Sequence, residues 1–243
     1  MPATIILVHG AFAGSASWDR VIDPLLSAGH PVIAAANPLR GLAHDAAAVS
    51  DLVRQAGKPV VLVGHSYGGA VISNVNAEAD AISGLVYVAG FAPDTGESCL
   101  TLTANFPGST LKDALHAVPR GDGTTDLYIT QDRFHAQFAA DVPVQQAARM
   151  AATQRPVTQE ALSEPSGTRP LWKERPSWFL IGEQDRNIPA ALQHYMAKRA
   201  RARRTTEIPG ASHAVTVAHP EATAHMILEA ARSRRGEGIT LGV

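Results

Sequence analysis

The chain has 243 residues, 45% hydrophobic and 18% charged, which suits one α/β domain with a buried core and excludes a disordered or fibrous chain. A formal net charge of −1 offers no electrostatic footprint for nucleic acid or an anionic membrane surface. The single cysteine, Cys99, excludes an internal disulfide and a cysteine-based metal site.

The apolar run at residues 5–8 is too short for the core of a signal peptide, and no stretch approaches a membrane-spanning length, so the chain reads as cytoplasmic. Thr4–Val8, TIILV, is the first expected strand, followed by a helix over residues 18–28 that Gly29 stops. Val32–Ala35 is the second strand, and a helix at Leu42–Ala56 stops at Gly57. Further strands are expected at residues 60–63, 85–88, 178–181 and 205–208, with helices at 69–77, 190–201 and 220–234. Short β-branched runs alternating with helical patterns predict a doubly wound, mostly parallel sheet of about six strands in an α/β fold. The rhythm breaks between residues 93 and 172, where Thr, Pro, Gly and Gln dominate around amphipathic pieces at 132–140 and 144–152. A loop that long without structure is rare, so a small helical cap or lid is expected there, inserted in a core made of residues 1–92 and 173–243. The basic run at 198–204 reads as a helix end complementing the dipole, and residues 236–243 as a loose tail.

Residues 60–69 read V-V-L-V-G-H-S-Y-G-G. A β-branched strand, a Gly-His-Ser-Tyr-Gly turn and a helical run have the form of a nucleophile elbow, which holds Ser66 out at the top of a sheet. A serine hydroxyl is a poor nucleophile at neutral pH and needs a base that is itself oriented by a carboxylate. In the doubly wound arrangement those partners follow in the order acid, then histidine, each after a later strand. Asp185, in Gly182-Glu183-Gln184-Asp185, follows the expected strand at 178–181, and Glu183 competes with it as the acid. Of the ten histidines, only His213 falls in a loop after the last strand. His30, His44, His219 and His225 read as structural or surface residues. The oxyanion hole needs two amide donors: Tyr67, after the nucleophile, and Ala11, in the loop after the first strand. Gly10 lets that loop approach the substrate, and His9 reads as a brace of the loop through its imidazole. Gly10, Phe12 and Val215 are the expected substrate-binding residues, with Tyr67 and lid aromatics such as Phe134, Phe138 or Trp172 completing an apolar pocket.

On these motifs the chain resembles the α/β-hydrolase superfamily. More narrowly it resembles the small esterase and hydroxynitrile-lyase group that includes plant methyl-salicylate esterases and bacterial relatives. The likeness rests on V-H-G-A at 8–11 with Gly14 and Trp18, on G-H-S-Y-G-G at the elbow, and on V-A-G-F-A-P-D at 88–94. Gln184-Asp185 with Ile188-Pro189, and Ser212-His213 with His219-Pro220, complete it. It implies a serine esterase acting on a small-molecule ester, with Ser66, Asp185 and His213 as triad and the Ala11 and Tyr67 amides as oxyanion donors. No cofactor or metal is implied, and a homodimer is compatible with it. Lyases of this group carry a hydroxylated residue and a lysine where this chain has Gly10 and Ala214, which disfavours cyanide release. A slow or non-catalytic small-molecule receptor is the rival reading, because fold does not fix function; a C–C hydrolase or lyase is a third.

Overall fold

β-branched and leucine-rich runs set the strands, and their near-total burial sets where those strands can lie. The computed structural model describes residues 2–57, 59–78 and 80–233. Strand β1 (Thr4–Val8) leads through a 3₁₀ turn at Ser15–Trp18 into helix α1 (Asp19–Ser27), β2 (Val32–Ala35) and α2 (Leu42–Ala56). Then come β3 (Val60–His65), α3 (Tyr67–Ser73) and β4 (Ile82–Val88). The segment before the next strand of the main sheet carries α4 (Cys99–Ala104), α5 (Leu111–Ala114), β5 (Leu115–Pro119), β6 (Thr125–Ile129), α6 (Gln131–Phe138), α7 (Val144–Thr153), β7 (Val157–Thr158) and α8 (Gln159–Ser163). The chain returns with β8 (Ser177–Gly182), α9 (Ala190–Arg199), β9 (Arg204–Ile208), the single turn α10 (Val215–Ala218) and α11 (Pro220–Arg232).

The main sheet has six parallel strands in the order β2-β1-β3-β4-β8-β9. Alternation along each strand sends its side chains into two separate cores. Ile6, Val8, Val60, Leu62, Leu85 and Tyr87 join Val49 and Val53 of α2 and Leu192 and Met196 of α9. Ile5, Leu7, Val61, Val63, Val86 and Val88 meet Trp18, Val21 and Leu25 of the α1 region and Met226 and Ile227 of α11 on the other face. The helices fit this because their apolar residues recur on one side. In α2, Leu42, Ala46, Val49 and Val53 are all buried, a spacing that keeps them on one stripe.

Several boundaries differ from expectation. β1 and β2 keep their expected bounds, while β3, β4, β8 and β9 run one to three residues longer because hydrogen-bonded pairing continues beyond the β-branched run; His65 still pairs with Val88. The helix expected at 69–77 is α3 and starts at Tyr67, ending at Ser73, where the Asn74 side-chain amide donates back to the Ala70 carbonyl and its main-chain amide to that of Val71. The segment between β4 and β8 is not purely helical: β5, β6 and β7 form a three-stranded antiparallel sheet. The Arg120-Gly121-Asp122-Gly123-Thr124 turn between β5 and β6, closed by the Arg120 amide on the Thr124 carbonyl at 2.9 Å, is the hairpin signal that sequence reasoning passed over. Lys198 and Arg199 do end a helix, and Arg199 pairs with Glu97 at 2.6 Å. The expected tail at 236–243, and Arg234 at the end of the last expected helix, lie outside the described residues. No helix among the described residues is long and apolar enough to cross a membrane.

Candidate active site

β3 ends at His65 and α3 begins at Tyr67, so Ser66 alone makes the turn, at φ 55° and ψ −125°. A non-glycine residue there carries about 1–3 kcal/mol of strain, which the surroundings must hold in place. The Ser66 amide donates to the Val88 carbonyl at 3.2 Å, and the Ser66 carbonyl accepts from the Gly69 and Phe91 amides at 2.9 and 3.1 Å. The glycines answer to close approach. A Cβ on Gly64 would lie 2.5 Å from the Gly68 carbonyl oxygen, and one on Gly68 would lie 2.3 Å from that of Val8.

Asp185, in the loop after β8, and His213, in the loop after β9, meet each other. The Asp185 Oδ2 accepts from His213 Nδ1 at 2.7 Å and from Gln193 Nε2 at 2.9 Å. Its Oδ1 accepts from the Asn187 and Ile188 amides at 2.8 and 2.9 Å. Four donors thus replace water around a carboxylate that is only 6% exposed, the condition for keeping it charged inside a protein. Because a carboxylate only accepts, the hydrogen of His213 is assigned to Nδ1 and the lone pair to Nε2. His213 Nε2 is buried and has no hydrogen-bond partner among the described residues, so no bond to Ser66 Oγ is formed in this structure.

The link between the elbow and this pair runs through His65, a residue that sequence reasoning did not single out. Its Nε2 donates to the His213 carbonyl at 2.9 Å, and the two rings lie 4.8 Å apart. Burial, and then the neighbouring His213, lower its pKa to about 3, so His65 is a neutral spacer. Phe138 from α6 closes on His213 edge-on at 4.9 Å. Glu183 is exposed and accepts from the Gly210 amide at 2.7 Å, away from the histidine. His219 pairs with Asp141 at 3.0 Å, and His30 bonds the Ala3 carbonyl at 2.9 Å.

The loop after β1 passes directly against the serine. A Cβ on Gly10 would stand 2.5 Å from Ser66 Cβ and 3.1 Å from Ser66 Oγ. The Phe12 amide is taken by the Arg155 carbonyl at 3.0 Å. Among the described residues, the Ala11 and Tyr67 amides have no hydrogen-bond acceptor. Tyr67 is pinned by its hydroxyl, which donates to the buried Asp45 carboxylate at 2.8 Å. Burial and that neighbouring charge push the phenol far above its ordinary pKa, so it stays protonated.

A cavity of about 360 Å³ opens at Ser66, with Ala11, Phe12 and Tyr67 at its base and Phe91, Phe106, Leu111, Leu127, Leu162 and Ile188 in its walls. Its size and apolar lining are those of a small-molecule site. Cys99, at the start of α4, also lines it. Three expectations about the wall need correction. Val215, which opens α10, is fully buried with Trp18 and Ala211 in the core of the α11 face and is not part of the wall. Phe134 and Phe138 stack on each other at 5.0 Å inside the core. Trp172 is buried, with its indole N–H on the Pro93 carbonyl at 2.8 Å. The wall comes instead from α4, α5, β5, β6 and α8, whose aliphatic residues sequence spacing did not distinguish from core.

This geometry can be set beside known proteins. The pyrethroid hydrolase of Sphingobium wenxiniae is 27% identical over 254 residues, spanning 93% of this chain and 86% of that protein. Methylesterase 8 of Arabidopsis thaliana is 33% identical over 114 residues, which are 40% of this chain and 41% of that one. The crystal structure of polyneuridine aldehyde esterase superposes with a TM-score of 0.76 at 19% identity, covering 94% of this chain and 99% of that chain, a likeness of fold alone. The family model that describes the Alpha/beta hydrolase family matches residues 5–226, a span holding all six parallel strands and the strained turn at Ser66; the chain belongs to the alpha/beta hydrolase family.

Proposed function

We propose that this protein is a serine hydrolase that cleaves small carboxylic esters through an acyl-enzyme intermediate, without a cofactor. Ser66 Oγ attacks the ester carbonyl while His213 Nε2 takes its proton, and Asp185 holds the imidazole and stabilises its charged form. The carbonyl oxygen, now an anion, rests on the Ala11 and Tyr67 amides. His213 returns the proton to the leaving alkoxide, and water then attacks the acyl-serine by the same relay in reverse. The segment over residues 93–172 acts as the lid, its aliphatic wall taking the apolar arm of the ester.

The observation that carries this reading is the His213–Asp185 bond of 2.7 Å, with the other imidazole nitrogen left free and the ring packed 4.8 Å from that of His65, the residue before the strained serine. Relatives named as hydrolase and esterase support the reaction class. Gly10 weighs against cyanide chemistry, since a hydroxylated side chain there would collide with Ser66.

A series of p-nitrophenyl esters from acetate to octanoate, assayed with wild type and Ser66→Ala, tests it. Turnover by wild type should fall at least about 10³-fold in the variant, and a p-nitrophenyl phosphonate should phosphonylate Ser66 Oγ with release of p-nitrophenolate, adding the mass of the phosphonyl group alone. Equal turnover in both proteins would overturn the role of Ser66, and none in wild type would overturn the proposal in favour of a binding protein.

A further inference from the structure

The loop from His9 to Phe12 is held by a residue more than 140 positions away. One guanidinium nitrogen of Arg155, Nη1, donates to His9 Nε2 at 3.1 Å and to the Asn37 carbonyl at 2.8 Å. The Asn37 side-chain amide in turn donates to the His9 carbonyl at 2.9 Å, and the Arg155 carbonyl receives the Phe12 main-chain amide at 3.0 Å. A guanidinium has no acceptor, so His9 Nε2 must carry the lone pair and Nδ1 the hydrogen. That hydrogen points to the Gly10 carbonyl, 2.9 Å from Nδ1.

The Gly10 carbonyl and the Ala11 amide belong to one planar trans peptide, so holding the carbonyl on one side turns the N–H to the other. From this chain of contacts we infer that Arg155 is a positioning residue for ester cleavage: by fixing the tautomer of His9 it aims the Ala11 amide at the oxyanion. Two further observations agree. His9 is fully buried, and burial lowers its pKa to about 4, so it is a neutral acceptor at ordinary pH. Phe12 sits at φ 60°, a conformation costly for an aromatic residue, and the Arg155 carbonyl is what its amide meets. Without the guanidinium, the imidazole can place its hydrogen on Nε2 and turn a lone pair toward the Gly10 carbonyl, which repels it.

The inference rests on the ester-hydrolase reading, and the test separates the two. Arg155→Ala should lower kcat by about 10- to 100-fold with KM within about twofold, the cost of a misaimed donor rather than an absent one, because the Arg155 main-chain bond to Phe12 persists. Arg155 also lines a second cavity of about 360 Å³ together with Asp19, Gln146 and Gln154, so millimolar methylguanidinium should restore part of the lost kcat. Affinity for an aryl trifluoromethyl ketone, which forms the oxyanion, should fall in step with kcat/KM, while affinity for its non-electrophilic isostere stays constant. If Arg155→Ala does not fold, Arg155→Gln, which keeps a neutral donor, carries the same comparisons with a smaller loss. Ser66-dependent turnover that is unchanged in the variant, or a loss shared by both inhibitors without rescue, would overturn the role of Arg155 and leave the esterase reading standing. Absence of Ser66-dependent turnover in wild type would remove both.

Discussion

The Asp185 carboxylate accepts from one imidazole, one side-chain amide and two main-chain amides, and every one of those partners is a donor. In Asp185→Asn, one oxygen becomes an NH₂ group that must face either the main-chain amides or His213 Nδ1. Facing the imidazole, it forces the hydrogen onto Nε2 and removes the base. We expect kcat to fall by about 10⁴-fold with the far-ultraviolet circular dichroism unchanged, the effect of a wrong tautomer on such a triad. At Gly10 the constraint is space. A methyl group 2.5 Å from Ser66 Cβ cannot be accommodated without moving either the loop or the elbow. Gly10→Ala should therefore lose most turnover and also melt earlier than wild type, measured by ester hydrolysis and a thermal scan. Ser66, Asp185 and His213 could be named as candidates because the elbow motif and the order of strand ends restrict the choice to few residues, and the fold brings Asp185 and His213 into contact. His65 and Arg155 could not, because each contacts a loop more than 140 residues away, and Gln193 could not, because a glutamine on the helix after the Asp185 loop has no spacing that marks it as a partner of the carboxylate.

At the scale of elements, strands and long helices announce themselves by period. β1 reads TIILV and is buried at every position, and α2 matches its expected bounds because an apolar stripe and a stopping glycine frame it. The segment between β4 and β8 lacks such framing. Its strands are short, β7 being only two residues, and they are stabilised by pairing with one another rather than by a repeating pattern. For the same reason aromatic residues there were misassigned to the pocket: Phe134 and Phe138 fill core volume, and aliphatic residues such as Leu127 face the cavity. Leu127 stands on β6, so a larger side chain there narrows the cavity without touching the catalytic loops. Leu127→Trp should raise KM for p-nitrophenyl octanoate by about 10-fold while leaving the acetate ester little changed, since a methylene-scale steric difference costs about 1–3 kcal/mol.

At the scale of the whole molecule, the burial of His9 and His65 in neutral form shapes the response to acid. Burial lowers the pKa of His9 to about 4 and that of His65 to about 3, from an ordinary 6.5. Between pH 6.5 and those values the unfolded chain binds protons at both sites that the folded chain refuses. Stability is thus complete above pH 6.5 and is lost as the pH falls, by about 1.4 kcal/mol per pH unit for each histidine. Urea midpoints at pH 7, 6 and 5 should decline accordingly, and His65→Asn should show a shallower decline whatever its starting stability. A slope that is the same in the variant and in wild type would assign the acid sensitivity to other groups.

The class of fold and the nature of the chemistry are properties of local order: β-branched runs, their alternation with helices, and a serine between glycines all act over a few residues, where sterics and hydrogen-bonding needs are strong. The meeting of loops from four strand ends is a different matter. It depends on the register that brings Gly64, Val88, Leu180 and Ile208 to one edge of the sheet, and on a segment that folds back to pack Phe138 on His213 and set Arg155 beside His9. Which residues brace the candidate catalytic groups and which form the cavity wall was decided only there, because those contacts join positions far apart in the chain and leave no repeating pattern within it.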